Sequence, residues 1–174
     1  MSRTALALGL TAIALASVAC GGARTGSAAK NPDGSRIAIM VLTDENVPAD
    51  AAPDRAAQIN QLSSWMESDL LQILDGTGYQ PLRVDEGGAP PGPGRYLLRV
   101  KIRNYNAGSK AARMLVGFGA GAAVLDTHFE LVGSDGNVLV AGDPSVGTGR
   151  DWKNAARKVN LQTVDSINAR LHQK

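Results

Sequence analysis

The chain has 174 residues, 44% of them apolar and only 4% aromatic, with 18 basic and 16 acidic side chains giving a formal charge of +2. This length suits one domain whose core must be built mainly from Ala, Val, Leu and Ile. So near a charge balance speaks against a nucleic-acid binder or an enzyme of acidic substrates, and a single cysteine excludes an internal disulfide and a cysteine-based zinc site.

The first residues read as an export signal. Ser2, Arg3 and Thr4 make a short positive start, and residues 5–17 form an uncharged apolar run. That run falls short of the roughly 20 residues a membrane-spanning helix needs. The small residues Ser17, Val18 and Ala19 then precede Cys20, the only cysteine. The pattern resembles the lipobox of bacterial lipoproteins, with Ser17 standing where that motif usually carries Leu. It predicts a signal peptide over 1–19, cleavage before Cys20, and lipid on the Cys20 sulfur, whose acyl chains hold the protein in a membrane. The alternative is an ordinary secretory signal with Cys20 incidental. Gly21 and Gly22 follow with no Asp, which leans towards the outer membrane, facing the periplasm. Residues 20–35, rich in Gly, Ala and Ser, read as a flexible lipidated tether, and 36–174 as a single domain.

Within that domain, the apolar run 37–42 predicts a central strand covered on both faces. Residues 54–74 predict a helix, since Ile59, Leu62, Met66, Leu70 and Ile73 make one apolar stripe, with Pro53 in the first turn and Gly76 and Gly78 as stops. A short strand is expected over 79–84, and an exposed loop over the Gly- and Pro-rich residues 85–94. Alternation over 96–105 and again over 123–132 predicts two half-buried strands. Residues 133–137 carry an Asp-Gly hairpin turn, with a return strand over 138–141. Asp151 caps a last helix over 151–171, with Trp152, Ala156, Val159, Ile167 and Leu171 on one side. The order predicts an α+β fold: a mostly antiparallel sheet with two helices packed on one face.

The stretch 108–123 is unusual, with Gly117, Gly119 and Gly121 alternating around Phe118. It leads into a strand pattern rather than a helix, which argues against a phosphate cradle. A groove that lets another element approach the backbone, a protein interface, and a membrane-inserted hairpin remain open. Lys101, Arg103, Lys110 and Arg113 make a basic cluster nearby, read as a solvated strand face or as a contact for phosphate headgroups or an acidic partner. Gly117, Phe118, Gly119, Gly121, Lys110 and Arg113 are the candidate interface. Enzyme signals are weak. No Gly-x-Ser-x-Gly or His-Glu-x-x-His occurs, and His128, between Asp126 and Glu130, reads as ordinary strand polarity before a metal ligand. No catalytic residue, metal or cofactor is expected.

Gly108, Ser109, Arg113, Gly117, Phe118, Gly119, Ala120 and Gly121, followed by the Asp-Gly hairpin, resemble a family of bacterial lipoproteins catalogued as domain of unknown function 4410. The resemblance covers most of residues 36–171 and brings no catalytic residues. The element order is also similar to that of periplasmic lipoproteins related to the curli-secretion channel subunit. The expectation is a non-enzymatic periplasmic domain, anchored by lipid in the outer membrane, that binds an envelope protein or its own copies and no nucleic acid. A secretion or channel subunit is the alternative, and a hydrolase ranks last.

Overall fold

The computed structural model describes residues 27–44, 47, 50–85, 91–106, 108, 122–149 and 151–173. Cys20 and the candidate interface of Lys110, Arg113, Gly117, Phe118, Gly119 and Gly121 lie outside them. Among the described residues, six strands form one mixed sheet and two long helices pack together on one of its faces.

The apolar run becomes β1 (Ala38–Asp44), and it lies between β2 (Gln80–Arg83) and β3 (Arg95–Asn106). Ile39 and Val41, both at 0% exposure, face the helices, while Met40 on the other side joins Leu97 and Val132 in a second small cluster. The strand is therefore buried on both faces at its start, although only one face carries helices. β1 pairs in parallel with both neighbours. Parallel neighbours need a long crossover, and the helix α1 (Pro53–Thr77) supplies the one to β2. The return from β2 to β3 must also run the length of the sheet. Of the expected loop over 85–94, residues 86–90 lie outside those described, and Pro91 is buried.

The predicted stripe on α1 holds, with Leu62, Met66 and Leu70 all at 1% exposure or less. The helix runs three residues further than expected because Gly76 stays helical. Gly78 ends it at φ 114°, donating to the Leu74 and Asp75 carbonyls, a left-handed geometry that a side chain would strain. Arg36 reinforces that end. Its guanidinium donates to the Gly78 carbonyl at 3.0 Å, to the Asp75 carboxylate at 2.6 Å and to the Tyr79 carbonyl, placing a cation at the negative end of the helix dipole. The chain before Arg36 is also tied down. Ala28 donates to the Thr77 carbonyl at 3.0 Å, Lys30 bridges to Arg36, and Ala28 and Ala29 pack on the core. Where a tether through residue 35 was expected, the described fold reaches back to Ala28.

β4 (Ala123–Val132) pairs antiparallel with β3, with β5 (Val138–Gly142) and with β6 (Ser145–Thr148). A register shift between Ile102 and Asn104 inserts Arg103, so burial on β3 passes from even positions (Leu98, Val100, Ile102) to Tyr105. Gly136, at φ 78°, closes the hairpin between β4 and β5 where the Asp-Gly pair predicted it. β6 has no counterpart in the sequence reading.

The helix α2 (Trp152–Leu171) starts where Asp151 accepts a hydrogen bond from the Asn154 amide at 3.0 Å. Asp151→Ala is expected to cost about 1 kcal/mol. That loss should lower the thermal midpoint by about 2–4 °C, read by circular dichroism at the helix band. α1 and α2 run side by side in the same direction. Trp65 meets Trp152 edge-to-face at 5.7 Å, Asp69 meets Arg157 and Asn160, and Tyr79, just beyond α1, donates to the Asn168 side chain at 2.6 Å. Burial pushes the Tyr79 phenol up to about 12.

Candidate functional site on the open sheet face

The face of the sheet away from the helices is where the described polar chemistry collects. Odd positions of β3 up to Arg103, Asn104 beyond the bulge, and even positions of β4 turn towards it. Cross-strand register sets Arg99 opposite Glu130, Lys101 opposite His128, and Asn104 opposite Asp126, while β1 adds Leu42 beside Arg99 and Asp44 beside Lys101. Leu42, Asp44, Arg99, Val100, Lys101, His128 and Glu130 wall a cleft of about 430 Å³. That size lies within the range of small-ligand sites.

Most charges here are already paired. Lys101 Nζ lies 3.2 Å from Asp44, and Arg103 lies 2.7 Å from Asp143, in the connection between β5 and β6. His128 spans two carboxylates, with Nδ1 2.9 Å from Asp143 and Nε2 3.3 Å from Glu130. The Ser145 hydroxyl donates to Asp126 at 2.5 Å and the Asn104 amide donates to the same carboxylate at 2.9 Å. These two donors, the serine first, hold the Asp126 carboxyl below its usual value of 3.8. The hydrogen bond to His128, followed by the charge of Arg103, does the same for Asp143.

Ser145 engages Asp126 while His128 engages Asp143 and Glu130, so among the described residues no hydroxyl is set against the imidazole as a nucleophile against its base. Asp126, His128 and Glu130 share a face but point into different bonds, and no group of three metal-ligating side chains is gathered among the described residues. Of the basic cluster read from the sequence, Lys101 and Arg103 sit in ion pairs on the solvated strand face. Asp44, Asp143 and Ser145 complete the network from loops and strand ends. Their only sequence signal was the Asp-Pro pair at 143–144, a turn mark rather than a site mark.

A folded-state pKa below the unfolded value means stability that is complete above the unfolded pKa and lost as pH falls through the folded one. Acid unfolding of the protein is therefore expected to draw on Asp126. In Asp126→Asn, the fall of the denaturation midpoint between about pH 5 and pH 2 should be shallower than in the parent, as read by urea titrations across that range.

Ala28 and the end of β3 at Asn106 lie at opposite ends of the domain. Ala28 sits at the C-terminal end of α1, and the position of a Gly94 Cβ would lie 3.8 Å from the Asn31 side chain, so β3 begins at the same end. β3 finishes at Asn106, paired with Val124. Eleven residue steps along a strand cover about 36 Å. Residues 107–122 therefore leave and re-enter at the far end. No helix among the described residues is long and apolar enough to cross a membrane.

A PelC variant from Paraburkholderia phytofirmans, solved as a dodecamer, is 15% identical, with a TM-score of 0.52 over 82% of this chain and 93% of that one. A second PelC dodecamer from the same organism is 12% identical, with a TM-score of 0.49 over 82% and 93%. No curated protein matches the chain. The model of the family described as "Domain of unknown function (DUF4410)" matches residues 28–145, and the chain belongs to that family.

Proposed function

We propose that the chain is a lipid-anchored, non-enzymatic module of the cell envelope that works as an assembly of its own copies and holds its glycine-rich segment away from the anchoring membrane. The observation that carries this reading is the separation of the two ends. From Cys20 to Ala28 the chain can stretch at most about 28 Å, whereas the base of the glycine-rich segment lies about 36 Å beyond the entry point. A domain standing on its tether holds Asn106 and Ala123, which flank the candidate interface in the sequence, at the end away from the membrane. The lack of a catalytic arrangement among the described polar groups supports a binding role. The shared fold with a protein that forms a dodecamer supports assembly.

Lys110 and Arg113 provide the test, since both are trypsin sites within the segment. With the lipidated protein bound to liposomes, trypsin is expected to cut after both residues as readily as in detergent. Protection of the segment by the bilayer would overturn this reading in favour of an inserted hairpin.

A further inference from the structure

We propose that the open-face cleft binds a small monocarboxylate, with the Arg99 guanidinium as its anchor. Arg99 is the charged wall residue without a hydrogen bond or ion pair among the described residues. Lys101 is held by Asp44, and Glu130, although directly opposite Arg99 in register, takes the His128 imidazole instead. The guanidinium thus offers a planar fork of donors whose geometry matches the two oxygens of a carboxylate. Its backbone is fixed from both sides, by Leu42 of β1 and by Glu130 of β4, so the fork stands on a rigid strand.

The rest of the cleft selects among anions. Asp44 and Glu130 on its walls repel a second negative charge, which favours a monoanion over phosphate. Leu42 lies beside Arg99, next to the nearly buried Met40 and Leu97. This apolar wall suits a short hydrocarbon body behind the carboxylate. This inference does not depend on the lipid anchor or on assembly.

The probe is butanoate, titrated into the full chain in detergent and followed by amide NMR, with butanol and inorganic phosphate as comparisons. Butanoate is expected to cause saturable shifts at residues 99–101 and 128–130, with neither comparison doing so. Arg99→Gln should weaken binding about tenfold or more, the loss of one charged bidentate contact, with an unchanged thermal midpoint because the Arg99 side chain has no partner to lose among the described residues. Arg95→Gln, further along the same strand face, should bind like the parent. Non-saturable shifts, equal binding by phosphate or butanol, or full binding by Arg99→Gln would overturn the assignment.

Discussion

Phe129→Ala is expected to lower stability by about 3–5 kcal/mol, the loss typical of a fully buried aromatic ring cut to a methyl group. Phe129 is 2% exposed and sits mid-strand on β4, in the core cluster formed by the sheet and both helices. Its cross-strand partner is Gly142, and a Cβ there would fall 2.7 Å from the ring's Cε1 and 3.1 Å from its Cζ. The ring covers the glycine backbone directly, so truncation opens a cavity that β5 cannot close with a side chain of its own. The same contact makes the reverse change costly. Gly142→Ala must push a packed ring aside and is expected to cost about 1–3 kcal/mol. For a domain of this size the Phe129→Ala loss should lower the thermal midpoint by about 6–20 °C, and a urea titration at constant slope checks it. A loss under 1 kcal/mol would mean that the ring is not packed as described.

Asp69→Ala is expected to cost about 2–3 kcal/mol, through the bonds it leaves unmade. Asp69 is 5% exposed on α1 and accepts from Asn160 Nδ2 at 3.0 Å and Arg157 Nη1 at 2.7 Å. The Asn160 amide, 1% exposed, also donates to the Met66 carbonyl at 2.9 Å. Arg157 is more than half exposed, so its ion pair adds only about 0–1 kcal/mol. The buried amide–carboxylate bond carries the rest. Asp69→Asn should be milder than alanine, because its amide oxygen can still accept from the buried Asn160 while its NH2 turns to the half-exposed Arg157. Replacing both partners, Asp69→Leu with Asn160→Leu, should recover most of the loss, since a matched apolar pair leaves nothing unsatisfied. A double-mutant cycle in urea measures this, and additive single losses would show that the pair acts separately.

Where burial has a period, the fold was legible. Alternation along 96–105 and 123–132 gave β3 and β4 nearly to the residue, the stripe from Ile59 to Ile73 gave α1, and Asp-Gly gave the hairpin. Three features carried no such signal. β6 is four residues long, and only Val146 among its side chains is a large apolar group, too little to show a period. The parallel pairing of β1 with β2 and β3 depends on connection lengths and crossings, which residue patterning does not record. Asp69 and Asn160 carried no sequence signal, because a polar side chain is assigned to the core only once its partner's place is known.

The polar face was half legible for the same reason. Asp126, His128 and Glu130 were read correctly as one strand face, and Lys101 and Arg103 as another. The partners that decide their roles come from elsewhere: Asp44 from the end of β1, Asp143 from a turn, Ser145 from the unseen β6. Arg99 stood out only when every neighbouring charge was found to be taken. Of the expected interface, the flanks at Asn106 and Ala123 locate the segment at the domain end away from Ala28, and the segment's own residues fall outside those described.

Native mass spectrometry of the full-length gene product, extracted from bacterial envelopes in detergent, tests the central proposal in a single spectrum. The account predicts a closed set of several copies, each beginning at Cys20 and carrying the added mass of a diacylglycerol and acyl group. Single copies, or subunits that lack the lipid mass, would contradict it.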